Sequence, residues 1–209
     1  MAFSVMENKK EHWENVFSTK QETEVSWYQK TPETSLRFID KINLPKDAKI
    51  IDIGGGDSYF IDALIDRGYT NLYLLDISAK AIERIKTRLG EKAESVTFIV
   101  SDILDFKPET TFDFWHDRAS FHFLTEKSQI EKYAEIVSNA ISKNGKMVIG
   151  TFSEEGPKKC SGLDITQYNE ASMTSVFKDH FEKTDCFTED HKTPFDTTQN
   201  FIFCSFNRL

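Results

Sequence analysis

The stretch Ile50-Ile51-Asp52-Ile53-Gly54-Gly55-Gly56-Asp57-Ser58 constrains this chain more than any other. It completes a short apolar run, Lys49 to Ile53, that reads as a strand. It then opens a segment, Tyr59 to Arg67, whose apolar residues Phe60, Ile61, Leu64 and Ile65 have helical spacing. A strand that turns at once into a helix needs backbone free of Cβ atoms, and the same openness lets a ligand come close. A tight turn with no ligand is an ordinary feature of proteins, so the glycines alone do not assign a function.

The alternation continues along the chain. Gly68 closes the first helix, and Leu72 to Asp76 reads as a second strand. Ser78 can cap the next helix, with Ala81, Ile82, Ile85 and Leu89 on one face and Gly90 at its end. Val96 to Val100, Phe112 to His116 and Lys146 to Phe152 are further strands. Between the last two, Lys127 to Ile141 carries an apolar stripe at Ile130, Tyr133, Ala134, Val137 and Ile141, followed by a turn at Lys143-Asn144-Gly145. Strands alternating with helices predict an α/β fold, a largely parallel sheet covered on both faces. The chain's 209 residues predict one domain with a core of its own. Phe occurs 18 times, and the runs around Phe121 and Phe201 suggest strands packed on both faces.

After Phe152 the rhythm changes. A loop with Gly156, Pro157 and Gly162 leads to a helix near Glu170 to Lys178. The extended runs Phe181 to Glu189 and Asn200 to Phe206 then predict an antiparallel pair joined across His191 to Thr198. Before the sheet, Pro32 starts a helix carrying Leu36, Phe38 and Ile39.

Two acidic residues sharpen the reading of the glycine turn. Asp76 ends the second strand near the spacing at which a carboxylate grips ribose hydroxyls. Asp52 precedes the first glycine by two residues, where the pyrophosphate of a dinucleotide would be unwelcome, and Tyr59 occupies the position of the third glycine of the dinucleotide fingerprint. The site therefore favours a ribose-bearing ligand without a pyrophosphate and with a positive group near Asp52. S-adenosylmethionine (SAM) has a ribose, an ammonium and a sulfonium.

At these residues the chain resembles the class I, Rossmann-like, SAM-dependent methyltransferases. The matching features are Asp52-x-Gly54-x-Gly56, then Asp76, then Ser101-Asp102-Ile103 after the third strand, then Phe112-Asp113-Phe114-Trp115-His116-Asp117-Arg118 at the fourth. They occur in order over roughly residues 45–155. The resemblance implies a three-layer sandwich around a seven-stranded, mostly parallel sheet of order 3-2-1-4-5-7-6, with strand seven antiparallel. It implies SAM as cofactor, with S-adenosylhomocysteine as product, at the carboxyl ends of strands one to four. It further implies contacts to SAM from Trp27, Asp52, Gly54, Gly56, Asp76, Ile77, Asp102, Ile103 and Asp117. Residues 45–209 would form the methyltransferase domain, and residues 1–44 a helical cap over it. Aromatic residues of that cap, Trp13 and Trp27 among them, either close over the sulfonium or simply pack on the sheet edge.

The catalytic candidates follow the fourth strand. Asp117 can orient an acceptor, and His122 can act as a general base or can be packed among Phe121, Phe123 and Leu124. Cys160, in the loop 153–168, reads as a structural or pocket-lining thiol, because direct methyl transfer needs no nucleophilic residue. The acceptor is expected to be a small molecule, such as a thiol or a metalloid or chalcogen species. The alternatives are a protein lysine, or SAM binding without catalysis.

Charge and cysteines bound the rest. A formal net charge of −8 opposes nucleic acid as a partner. The three cysteines, Cys160, Cys186 and Cys204, are widely spaced and suggest neither a zinc or other metal site nor a disulfide, which fits a reducing cytoplasm. The first ten residues have no apolar core of the kind found in a signal peptide or a membrane span. Monomer and homodimer are equally compatible with the sequence.

Overall fold

The architecture is that of a computed structural model describing residues 2–209, with side chains described from Lys9 onward. In chain order the strands are β1 (Lys49–Ile53), β2 (Asn71–Asp76), β3 (Val96–Val100), β4 (Phe112–Arg118), β5 (Ile141–Phe152), β6 (Lys159–Cys160), β7 (Leu163–Asp164), β8 (Phe181–Lys192) and β9 (Thr198–Arg208). The helices are α1 (Ala2–Thr19), α2 (Glu33–Ile42), α3 (Phe60–Asp66), α4 (Ala79–Leu89), α5 (Lys127–Ala140) and α6 (Glu170–Phe177). The main sheet has the order β3-β2-β1-β4-β5-β9-β8, with β9 antiparallel to both neighbours. This is the expected seven-stranded Rossmann-like arrangement, β8 and β9 being strands six and seven of that order.

Both faces of the sheet are covered. On one, Phe38, Ile39, Phe60, Leu64, Ile82 and Ile85 from α2, α3 and α4 pack against Ile50, Phe114, Val148 and Phe203. On the other, Tyr133, Val137, Met173 and Phe177 from α5 and α6 pack against Ile51, Trp115, Met147 and Phe206. Burying each of these large side chains contributes about 1.5–3 kcal/mol. Ser78 caps α4, its hydroxyl accepting from the amide of Ala81 at 3.2 Å. Gly68, at φ +81°, takes the left-handed conformation expected after α3.

Strand alternation decides what β4 presents to each face. Phe114 belongs to one core and Trp115 to the other. His116 follows Phe114 onto the α2–α3 face and Asp117 follows Trp115 onto the α5 face, as their partners Ser35 and Tyr133 show.

Several local expectations change. Phe121 lies in a short helical turn, Phe121–Phe123, rather than a strand, because β4 ends at Arg118 and the chain reverses there. The residues Lys143-Asn144-Gly145 are an irregularity inside β5, with Asn144 at φ +68°, not a separate turn. The loop 153–168 contains a two-residue-turn hairpin, β6–β7, across Ser161 (φ +50°) and Gly162 (φ +81°). Two successive left-handed residues suit such a tight turn. Cys186 and Cys204, read as unpaired, face each other across β8 and β9 with Cα atoms 4.2 Å apart and form a disulfide. Their separation of 18 residues carries no pairing signal; the hairpin register creates it. Among the described residues, no helix is long and apolar enough to cross a membrane.

Candidate functional site

A cavity opens at the carboxyl ends of β1 to β4. It is lined by the glycine turn, by Asp76 and Ile77 after β2, by Asp102 and Ile103 after β3, by Arg118 to Ser120 after β4, and by Cys160 of β6. The N-terminal segment roofs it with Trp13, Phe17, Trp27 and Tyr28.

The glycine turn is fixed by what surrounds it. Gly54 (φ +60°) and Gly56 (φ +54°) are left-handed, a conformation that L side chains rarely adopt. A Cβ on Gly54 would lie 2.5 Å from the side chain of Ser120, and one on Gly56 would lie 3.0 Å from the Phe17 ring. Gly55 has a reason of its own, since its Cβ would stand 2.6 Å from Asp52 Oδ2.

Asp52 forms the floor of the site. Its Oδ1 accepts from His116 Nδ1 at 2.7 Å, and His116 Nε2 lies 2.8 Å from the hydroxyl of Ser35 on α2. His116 thus bridges Asp52 and Ser35 through its two ring nitrogens. All three side chains are buried, and all three line the cavity. Asp52 Oδ2 is buried without a partner beneath the glycines. This Asp–His–Ser chain is absent from the sequence reading: Ser35 stands 81 residues from His116, and nothing in the pattern joins them.

Asp76 is also buried. Its Oδ2 accepts from the amide of Gly56 at 2.9 Å and its Oδ1 from that of Ser78 at 2.8 Å. Burial, with smaller contributions from Asp57 and Asp52, outweighs these hydrogen bonds and pushes its carboxyl up to about 7. Each oxygen retains one lone pair for a further donor. Asp102 accepts from the amide of Leu104 at 2.9 Å, which holds the turn after β3.

The N-terminal segment is tied down at several points. Glu14 of α1 accepts from the Ser78 hydroxyl and from the amides of Ala79 and Lys80, so it caps α4 from another element. Lys9 Nζ donates to the carbonyl of Phe123 at 3.0 Å. Trp13 stands 5.1 Å from Phe123 and 5.8 Å from Trp27, ring centroid to centroid, in edge-on contacts. The aromatic cap is therefore continuous with the turn after β4.

The two expected catalytic residues are not in the cavity. Asp117 points to the opposite face, where Oδ1 accepts from the amides of Ser120 and Phe121 and Oδ2 from the hydroxyl of Tyr133. Burial holds its carboxyl up at about 6 despite these donors. Its task is local: it clamps the turn in which Ala119 is left-handed (φ +64°) and so sets Ser120 against Gly54. His122 is buried, with Nδ1 3.1 Å from the Thr151 hydroxyl and its ring stacked 4.7 Å from Phe152. Burial, reinforced by Arg118, drives its pKa down to about 3, so the ring is neutral near pH 7.

Arg118, the next residue along β4, is the one that faces the cavity. It lines the cavity, donates from Nη1 to the carbonyl of Trp27 at 3.1 Å, and lies over Phe201, 4.9 Å from the ring centre. Burial lowers its pKa to about 10. Cys160 is a buried wall residue whose thiol burial pushes up to about 11, so it stays protonated. Of the candidate contacts, Trp27, Asp52, Gly54, Gly56, Asp76, Ile77, Asp102 and Ile103 all meet in the one cavity; Asp117 does not.

Comparison with known proteins agrees with this fold. A family model for a methyltransferase domain matches residues 44–197. EEF1A lysine methyltransferase 2 of Mus musculus is 24% identical over 182 residues, covering 83% of this chain and 71% of that protein. Malonyl-[acyl-carrier protein] O-methyltransferase 2 of Ilyobacter polytropus is 26% identical over 107 residues, covering 51% of this chain and 40% of that protein. Among solved structures, N-methyltransferase NodS of Bradyrhizobium japonicum WM9, in complex with S-adenosyl-L-homocysteine, superposes with a TM-score of 0.71. The match covers 94% of this chain and 98% of that one at 14% identity, a likeness of fold.

Proposed function

This chain belongs to the methyltransferase-domain family as a class I, SAM-dependent methyltransferase, and we propose that it methylates a small molecule held between the turn after β4 and the N-terminal segment. The observation that carries this reading is the enclosure of the site. Trp13, Trp27, Phe123 and Cys160 come from separate segments of this one chain and all line the cavity. Such a wall suits a free metabolite better than a side chain attached to a folded partner.

The residues present fit SAM. Asp52 offers a buried carboxylate with one unsatisfied oxygen below the turn, and the left-handed Gly54 and Gly56 bring bare backbone to the cavity surface. Asp76 and Ile77 would hold the ribose end, Asp102 and Ile103 the adenine, and the Trp27 ring would face the sulfonium. When bound, SAM supplies an electrophilic methyl on a sulfonium that departs as a neutral thioether. The protein's part is to hold the acceptor in line with that methyl and to keep water out. Residues 1–44 would act as the lid for that purpose.

The ionisation chemistry of the wall narrows the acceptor class. His122 lies outside the cavity, and both nitrogens of His116 are engaged by Asp52 and Ser35. A lysine ammonium, with an ordinary pKa of about 10.4, needs a base to remove its proton; a thiol, at about 8.5, reaches its reactive form more easily. A thiol, or a chalcogen or metalloid species that arrives unprotonated, suits this wall. A protein lysine is the second reading, favoured by the likeness to the murine lysine methyltransferase over 83% of this chain.

The test is methyl-labelled SAM added to the purified protein and an extract of the source cells, with the products divided by a size cut-off. Label in the small or volatile fraction is the expected result. Label in the large fraction would replace this reading with the protein-lysine one.

A further inference from the structure

Arg118 is one of two cations that line the cavity; the other, Lys9, donates to the carbonyl of Phe123. Arg118 is the last residue of β4, paired in register with Gly150 of β5, and its side chain leans across β5 onto Phe201 of β9. That direction leads away from β1 and β2, where the glycine turn and Asp76 lie. Two contacts hold the guanidinium: the Trp27 carbonyl at Nη1 and the Phe201 ring beneath it.

Its charge is not compensated at close range. Among the described residues, no carboxylate lies within ion-pair distance of Arg118, although other arginines such as Arg84 and Arg88 have one. Asp52 and Glu189 act on it only from further away. Glu189 is itself engaged by Arg37 and Thr34. Arg118 Nε is buried with no hydrogen-bond partner. A partly buried cation with an unmet donor is unfavourable, and an acceptor on a ligand would complete it. The guanidinium's planar fork matches a carboxylate, which can accept two parallel N–H bonds.

We propose that Arg118 receives a carboxylate of the small acceptor, so that the substrate is an anionic molecule carrying its nucleophile a short distance from that carboxylate. This rests on the small-molecule reading above. The cofactor also has a carboxylate, at its methionine end, and the experiment must tell the two sources apart.

The labelled small-molecule product from the extract is applied to an anion exchanger at pH 7, and labelling is repeated with Arg118→Gln and Arg118→Lys. Binding of S-adenosylhomocysteine and of 5′-methylthioadenosine, which lacks the amino-acid end, is measured for each variant by calorimetry. The proposal expects three results together. The product is retained as an anion. Arg118→Gln lowers labelling roughly 10- to 100-fold while Arg118→Lys recovers part of it. Affinity for S-adenosylhomocysteine stays within about twofold, the scale of a lost contact that makes no net contribution. Loss of S-adenosylhomocysteine affinity with 5′-methylthioadenosine affinity intact would overturn it and assign Arg118 to the cofactor's carboxylate. A small product that is uncharged or cationic, or labelling unchanged in both variants, would overturn it and leave the small-molecule reading standing. Label confined to protein would overturn both.

Discussion

His116 Nδ1 and Asp52 Oδ1 lie 2.7 Å apart, and both side chains are almost fully buried. The pair joins β1 to β4 across the floor of the site, and Ser35 extends it to α2. Removing one member of a buried pair strands the other, which typically costs about 3–5 kcal/mol. His116→Ala should therefore lose about 3 kcal/mol of stability in urea unfolding, and His116→Asn, which can still donate to Asp52, should lose less. A loss below about 1 kcal/mol in the alanine variant, the scale of an ordinary exposed pair, would mean that the pair does not hold the site together.

Asp76 makes cofactor affinity depend on pH. Without ligand its carboxyl titrates near 7, well above the ordinary 3.8, chiefly because it is buried. Ribose hydroxyls donate to the charged form and lower that value on binding. Affinity for S-adenosylhomocysteine should thus rise as pH increases toward 7 and level off above it, and Asp76→Asn should bind more weakly with no such slope. Stability of the ligand-free protein carries the opposite sign. A carboxyl raised on folding contributes stability below its unfolded value, and that contribution is lost as pH rises from about 4 through about 7. Calorimetric titrations between pH 5.5 and 8, paired with urea unfolding at the same pH values, measure both.

His122 should prove dispensable for chemistry. A general base contributes roughly 10²- to 10⁴-fold to a rate. His122→Phe keeps an aromatic ring beside Phe152 and should lower the initial rate of label transfer less than about tenfold, a loss below that range. A hundredfold loss with unchanged cofactor affinity would return His122 to the catalytic role that its position in the chain first suggested.

Asp117 should act on the fold rather than on the reaction. Asp117→Ala leaves the Tyr133 hydroxyl and the amides of Ser120 and Phe121 without their acceptor. Each unsatisfied buried donor costs about 1–3 kcal/mol, so a stability loss of about 3 kcal/mol or more is expected. Cofactor affinity should fall with it, because Ser120 would no longer be set against Gly54. Full stability with abolished turnover would reverse this assignment.

Gly54→Ala tests the turn itself. The added methyl meets the Ser120 side chain at 2.5 Å in a backbone conformation unfavourable to alanine. Binding of S-adenosylhomocysteine should weaken at least tenfold. Gly54→Ala combined with Ser120→Gly should recover part of that loss, and no recovery would place the whole effect in backbone strain. Calorimetry on the two variants separates these outcomes.

Local pattern and spacing determined the strands, the helices and the largely parallel character of the sheet, because these features depend on short-range regularities; the strand order and the expected cofactor contacts came from the family resemblance. The period of two in a strand, the period of 3.6 in a helix and glycine at a strand-to-helix turn are all written in consecutive residues. Asp52, Gly54, Gly56, Asp76, Ile77, Asp102 and Ile103, which the resemblance named, line one cavity because each ends or follows a strand of the same sheet. Which face each β4 residue presents was decided only by the tertiary structure. The stretch His116-Asp117-Arg118 looks uniformly polar in the chain, yet a shift of one residue sends a side chain to the opposite layer, so Asp117 meets Tyr133 while Arg118 enters the cavity. Contacts between remote segments were equally out of reach. Ser35 on His116, Glu14 on the start of α4, and Cys186 beside Cys204 exist because packing and register bring separate elements together, and no local pattern encodes those distances.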